Sequence, residues 1–280
     1  MWKRREPDIQ LKTAGQFAAM REAGLVVASA LQACADAVAP GISTADLDAI
    51  ASDEIDAAGA LPSFKGYHGY PATICTSVNE QIVHGIPSAD RTLAEGEVIS
   101  IDCGAIVAGW HADAAVTVPV GAVSAPLTRL LAACEDALWQ GLAQARPGAR
   151  LTDISHAIER TVRAAGDYGI VEDYVGHGIG SEMHMNPAVL NQGRPGRGPL
   201  LMEGMALAIE PLLVLGGPDT VLCDDGWTVV SADGTCAVHF EHSVAITGNG
   251  PWVLTAPDGG RRALAQATAA APAAGAGTQT

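Results

Sequence analysis

The sequence predicts an α+β fold: two related halves set antiparallel strands on one side and helices on the other. Three observations carry this. The run Glu95-Gly96-Glu97-Val98-Ile99-Ser100-Ile101-Asp102 recurs as Glu203-Gly204-Met205-Ala206-Leu207-Ala208-Ile209-Glu210, and His111-Ala112-Asp113-Ala114-Ala115-Val116 recurs as His239-Phe240-Glu241-His242-Ser243-Val244. Upstream, Pro40-Gly41 with Asp46-Leu47 is matched by Pro147-Gly148 with Asp153-Ile154, and Gly59 by Gly166. The order helix, helix, strand, hairpin therefore occurs twice, and no strand–helix alternation supports a doubly wound parallel sheet. The repeat gives halves at about 10–120 and 121–250, far longer than a solenoid period. One domain covers 1–255, and 256–280 is a low-complexity Ala/Pro/Gly/Thr-rich tail, expected to be disordered and dispensable.

After a polar lead-in at 1–12, Thr13 caps a helix to about Val38 with an apolar stripe of Phe17, Met20, Leu25, Ala28 and Leu31. Pro40-Gly41 ends it. Ser43 or Thr44 then caps a second helix with Leu47, Ile50, Ala51, Ile55 and Ala58 inside. Residues 62–71 are a Gly/Pro/Tyr-rich loop, Thr73–Val78 a short strand, and Asn79–Pro87 a loop carrying His84. Val98–Asp102 and Trp110–Val118 are strands by their branched apolar residues and period-two alternation. A two-residue turn at Val107-Ala108 would pair residues whose numbers sum to 215, setting Asp102 directly opposite Asp113. Ser124 caps the next helix, to about Ala145, and Thr152–Ala165 repeats the second one. Gly176-His177-Gly178-Ile179-Gly180 is too glycine-rich for regular structure, and 191–199 is a polar turn. Further strands are predicted at Met205–Glu210, Pro211–Leu215, Trp227–Val230 and Val238–Ile246.

At 280 residues and 48% hydrophobic, the chain can bury a large core. Its formal charge of −15 argues against nucleic acid as the main ligand, because a phosphate backbone demands a basic face. The six cysteines show neither CxxC nor zinc-finger spacing and read as reduced, mostly buried thiols. No apolar run reaches the roughly 18 residues of a membrane span, and the N-terminal residues do not resemble a signal peptide. A cytoplasmic protein is expected.

Two carboxylates facing each other on a hairpin repel unless one is protonated or a cation lies between them. Alone, such a pair could be accidental on a solvated strand face. The repeat argues otherwise, because two related halves bring Asp102, Asp113, Glu210 and Glu241 to one central point, the outline of a dinuclear metal site. His177, between two glycines that allow close backbone approach, is the best nitrogen donor. The GHGIG run is a poor phosphate loop, since it has neither a Walker lysine nor a βαβ context.

The residues also resemble a family. Gly66-Tyr67-His68-Gly69-Tyr70-Pro71, Asn79-Glu80, His84-Gly85-Ile86-Pro87, Ile101-Asp102, His111-Ala112-Asp113, Gly176-His177-Gly178-Ile179-Gly180, Ile209-Glu210-Pro211, Asp225-Gly226-Trp227-Thr228 and Glu241-His242 closely resemble bacterial type I methionine aminopeptidases over about residues 10–255. The resemblance implies the pita-bread fold and removal of N-terminal methionine when the second residue is small. It implies two divalent metal ions (Mn, Fe, Co or Zn). Asp102 would chelate one ion, His177 and Glu210 would hold the other, and Asp113 and Glu241 would bridge. Water between two dications is acidified toward neutral pH, and Glu210 would relay its proton. By the same resemblance His84 addresses the scissile amide and His184 the tetrahedral oxyanion. Phe64, Tyr67, Tyr70, Cys75, Met183 and Trp227 would line the methionine pocket, although Phe64 and Met183 stand where some relatives carry Cys and Phe. The partners implied are N-termini of nascent proteins and peptides, with scope for transient ribosome contact; the protein would act as a monomer, away from membranes.

Only 26 positions separate His184 from Glu210, leaving no room for the helical insertion of type II enzymes, and no N-terminal zinc-finger extension is expected. Two alternatives remain. An Xaa-Pro aminopeptidase shares the fold and a similar ligand set but usually carries a separate N-terminal domain. A catalytically inactive pita-bread binding protein would be expected to lose ligands, whereas all five are present here.

Overall fold

Helix α1 (Ala14–Ala37) starts at Thr13, whose hydroxyl accepts the Gln16 N–H while the Gln16 side chain accepts the Thr13 N–H. This capping box satisfies two donors that a helix start leaves open. Helix α2 (Thr44–Ala57) repeats the device with Ser43 and Asp46. The computed structural model describes residues 8–270, so what was expected of 1–7 and 271–280 lies outside the described residues. After α2 come β1 (Leu61–Pro62), a 3-10 turn at Tyr67–Gly69, β2 (Ile74–Val78), β3 (Gln81–Val83), β4 (Val98–Val107) and β5 (Trp110–Pro119). Helices α3 (Ala125–Leu142) and α4 (Leu151–Ala165) follow. The chain then forms β6 (Gly169–Ile170), β7 (Gly176–Gly178), β8 (Met185–Val189), β9 (Ala206–Ile209), β10 (Leu212–Val214), β11 (Thr220–Leu222) and β12 (Val229–Ser231). It ends with β13 (Ala237–His239), β14 (Glu241–Thr247), β15 (Gly250–Val253) and α5 (Arg261–Ala270).

Nine strands form one antiparallel sheet in the order β1-β4-β5-β14-β9-β7-β8, with β2 beside β4 and β15 beside β14. The order reads symmetrically outward from the β5/β14 contact: β5 and β4 to one side, β14 and β9 to the other. Helices α1 and α2 cover the first side through Val27, Leu47 and Ile55 packed with Ile99 and Ile101. Helices α3 and α4 cover the second through Leu130, Leu138, Ile154 and Ile158 packed with Leu207, Ile209 and Val244. Successive strand side chains point to opposite faces. Asp102 and Asp113 alternate with core residues Ile101, Cys103, Ala112 and Ala114, and Glu210 follows Ile209. All these acids therefore point away from the helical cores.

The hairpin turn lies at Ala108-Gly109, not at Val107-Ala108. Both turn residues hold positive φ, 50° and 79°, as a type I′ hairpin requires. Paired residue numbers sum to 217, so Asp102 faces Ala115 and Asp113 faces Gly104. The two aspartates are diagonal neighbours on the same face rather than directly opposite, since a shift of two keeps the pleat.

Other expectations are corrected. Leu25 is 43% exposed, because α1 presses Gly24 onto the Leu254 carbonyl, where a Cβ would collide; Phe17, Met20 and Leu31 point inward as expected, joined by Ala23, Val27 and Ala30. Ala58 is the exposed C-cap of α2. Ser124 begins α3 without a side-chain cap bond, and that helix ends at Leu142. Gly176–Gly178 is a strand: added Cβ atoms would strike the Ala208 and Asn186 carbonyls, so the glycines let β8 and β9 close on both sides. Val238–Ile246 is not one strand, because the chain passes at Phe240 from the three-stranded sheet β13-β10-β6 into the main sheet. The expected disorder after Ala256 gives way to α5, whose buried Ala267 accepts a hydrogen bond from Gln140 of α3 through its carbonyl. Arg21 ties the preceding turn down by donating to the carbonyls of Val253, Leu254, Ala256 and Pro257. No helix among the described residues is long and apolar enough to cross a membrane.

Candidate metal centre and substrate cavity

Four of the five sequence-predicted ligands lie on strands, and the fifth directly follows one. Asp102 comes from β4, Asp113 from β5, His177 from β7, and Glu241 opens β14; Glu210 directly follows β9. All five line one cavity of about 250 Å³ and all are buried. One atom each from Asp113, His177 and Glu241 lies within 4.8 Å of the others, and the same holds for Glu210, His239 and Glu241. Glu210 stands between two imidazoles, with Oε1 3.8 Å from His177 Nε2 and Oε2 3.7 Å from His239 Nε2.

Burial and mutual repulsion dominate the electrostatics. Desolvation, then the charges of Asp102 and Glu210, push the Asp113 carboxyl well above the usual range. Desolvation, then Asp113, Glu210 and Asp102, do the same to Glu241. Asp102 is raised by desolvation, and Glu210 by desolvation and then by Asp102. Two such charges ~4 Å apart repel by about 4 kcal/mol even at an effective dielectric near 20. The cluster cannot hold four bare negative charges at neutral pH. It needs protons or cations.

The orphaned atoms favour cations. Asp102 Oδ1, Asp113 Oδ1, Glu241 Oε1 and His239 Nε2 are buried without a hydrogen-bond partner. His177 Nδ1 is 3.0 Å from the Gly178 carbonyl, which can only accept, so Nδ1 carries the proton and Nε2 presents a lone pair toward Glu210. Desolvation, with His184 adding to it, lowers the His177 pKa to about 3, keeping that lone pair free. A nitrogen lone pair aimed at carboxylate oxygens is a ligand arrangement rather than a salt bridge. The donor set fits divalent metal.

Hydrogen bonds to the backbone hold the cluster in place. Ser243 bridges the Asp113 N–H and carbonyl, Thr117 bridges those of His239, and the buried Asn191 side chain donates to the Glu210 carbonyl at 3.0 Å. Such support fixes ligand orientation before anything binds.

Beside the ligands, Phe64, Tyr70, Cys75 and Met183 form one buried apolar cluster, with Tyr67 and Trp227 packed against it. Tyr70 donates to the Ile74 and Gly85 carbonyls. His84 and His184 also line the cavity. Desolvation, then the neighbouring His184, lowers His84 to about 4. His84 holds φ at 60°, in the left-handed region, a strained conformation of the kind that collects at functional sites. The Tyr67 hydroxyl lies 2.9 Å from His184 Nδ1, and the His184 and His177 rings meet edge to face at 4.3 Å. Every site residue predicted from sequence therefore reaches this one cavity.

Sequence reasoning missed His68 and Val83 on the cavity wall and His239 at the carboxylates. The repeat did align His239 with His111, but His111 instead bonds Ser63. A histidine two residues before Glu241 was the available signal. A larger groove of about 650 Å³ runs over the helical face between α1 and α3, away from these ligands.

Comparison with known proteins agrees with this geometry. Residues 18–248 match metallopeptidase family M24. Methionine aminopeptidase 1 of Mycobacterium tuberculosis is 53% identical over 249 residues, covering 87% of this chain and 94% of that protein. The crystal structure of a methionine aminopeptidase from Thermotoga maritima superposes with a TM-score of 0.87 at 40% identity, covering 89% of this chain and 99% of that one. A prolidase from Pyrococcus furiosus shares the fold alone, with a TM-score of 0.71 at 22% identity over 88% of this chain and 65% of its own. With four carboxylates and an imidazole gathered between two mirrored pairs of strands, the chain has the pita-bread fold and belongs to metallopeptidase family M24, among the methionine aminopeptidases.

Proposed function

We propose that this chain removes the N-terminal methionine from proteins and peptides whose second residue is small, using divalent metal. The observation that carries the reading is that orphaned buried carboxylate oxygens share one small cavity with an apolar wall. At about 250 Å³ the cavity falls below the roughly 300–1,000 Å³ that encloses larger ligands. Burying a methionine side chain there contributes about 1.5–3 kcal/mol, and the Cys75 and Met183 sulfurs suit an unbranched thioether.

Asp102, Asp113, His177, Glu210 and Glu241 would hold two divalent cations. Mn, Fe, Co and Zn all suit so oxygen-rich a set. Bound there, the ions supply Lewis acidity and a nucleophile from water at neutral pH. The chain's own groups do the rest. Glu210, beside the cations, would take the proton and return it. If Tyr67 donates to His184 Nδ1, the His184 proton sits on Nε2, free to be donated to the developing oxyanion. His84, kept neutral by burial, would address the substrate amide. The apolar wall orients the first residue and excludes water from the cleaved bond.

Six free cysteines fit a reducing, cytoplasmic setting. Action as a monomer, with transient ribosome contact, belongs to the same proposal. Competing hydrolysis of Met-Ala-Ser, Leu-Ala-Ser and Ala-Pro-Ser tests the substrate: methionine release should dominate. Preferred cleavage of Ala-Pro-Ser would replace this reading with an Xaa-Pro aminopeptidase.

A further inference from the structure

His239 closes β13 and is 1% exposed. Its Nε2 lies 3.7 Å from Glu210 Oε2 and 3.7 Å from Glu241 Oε2, and it has no hydrogen-bond partner. These separations exceed the ~2.7–3.2 Å of an N–H···O bond. Two ligands of one cation, each ~2.0–2.2 Å from it, can stand up to about 4.3 Å apart, which accommodates them. The His177–Glu210 pair shows nearly the same spacing, 3.8 Å.

The backbone of His239 is also held in place. The Thr117 hydroxyl donates to the His239 carbonyl and accepts its N–H, both at 2.8 Å. That hydroxyl has one proton to give, so Ser100, 2.8 Å away, must donate to Thr117. A buried chain of hydroxyls thus fixes the strand end from which the imidazole reaches two carboxylates of the centre.

We infer that His239 Nε2 is a further protein ligand of this centre, joining Glu210 and Glu241 around one of its cations. The inference rests on the reading of the centre as a divalent-metal site. Its consequence is selectivity: a second imidazole favours metals that take nitrogen, such as Zn and Fe, over Mn.

The test uses metal-stripped full chains of wild type, His239→Gln, His239→Leu and His177→Ala, titrated calorimetrically with Zn²⁺ and with Mn²⁺. Both His239 variants should lose Zn²⁺ affinity by about tenfold or more while Mn²⁺ affinity moves less than about threefold. Equal losses for both metals, or none, would overturn the inference, for His239 would then only position the carboxylates or fill space. Proton NMR of Co²⁺-loaded wild type requires no variant to fold. Two hyperfine-shifted imidazole N–H resonances are expected, from His177 and His239, and one alone would overturn it. Wild type that binds no metal would sink the metal-site reading itself. Wild type that binds metal, with His239 variants matching it for both ions, sinks only the role of His239.

Discussion

The Asp113 N–H donates to Ser243 Oγ at 2.9 Å, and the same hydroxyl donates back to the Asp113 carbonyl at 2.8 Å. Strands β5 and β14 pair directly only at Glu241–Ala115 and His242–Ala114. One step beyond that short ladder, a side chain from one half replaces the missing rung and sets the position of Asp113 from the other half. Ser243→Ala leaves two buried backbone groups of Asp113 without a partner. It should cost about 1–3 kcal/mol of unfolding free energy and weaken metal binding by ~10-fold. Denaturant unfolding and metal calorimetry check this; an alanine variant equal to wild type in both would remove Ser243 from the support of the centre.

Metal removal should make stability depend on pH in a defined direction. In the folded chain Asp102 is raised to about 7 and Glu210 to about 8, mainly by desolvation, against roughly 4 for unfolded carboxyls. The folded state therefore binds more protons than the unfolded state between those values. The contribution of these groups is fully present below about pH 4 and is lost as pH rises through 7 to 8. Bound metal replaces the protons, so the rise in Tm on adding Mn²⁺ should grow from pH 5 to pH 8. A metal-induced rise independent of pH would contradict the clustered-carboxylate account.

Tyr67→Phe removes the 2.9 Å contact to His184 Nδ1 and with it the control of that ring's tautomer. Turnover should fall by about tenfold with metal affinity unchanged, because neither residue is assigned to the metals. Loss of metal binding in this variant would show that the two roles are not separate.

Much of the centre was legible because strand alternation is a strong signal. The period of two in Val98–Asp102 puts Asp102 on the face opposite Ile99 and Ile101, and the repeat does the same for Glu210. What failed was local geometry set by neighbours distant in sequence. The turn moved to Ala108-Gly109 because both of its residues must hold positive φ, which the apolar pattern does not encode. Gly176 and Gly178 look like loop residues until β8 and β9 press on them. The strand break at Phe240 reflects a change of sheet, invisible in an unbroken apolar run. The same break turns His239 toward Glu210 and Glu241.

The C-terminal helix is hidden in the sequence for a related reason: its composition is poor in large apolar residues, yet small ones suffice against α3. Ala267 is 4% exposed. Ala267→Arg should therefore destabilise the chain by about 1–3 kcal/mol. Unchanged thermal unfolding would mean that α5 does not dock.

The most direct test of the central claim is activity during metal removal and return. After chelation, the chain should not hydrolyse Met-Ala-Ser, and adding Mn²⁺, Co²⁺ or Fe²⁺ should restore methionine release. His177→Ala should need more metal for partial recovery, whereas His184→Ala should bind metal normally and turn over ~10²–10³-fold more slowly. Full turnover by a chain shown to be free of metal would contradict the account.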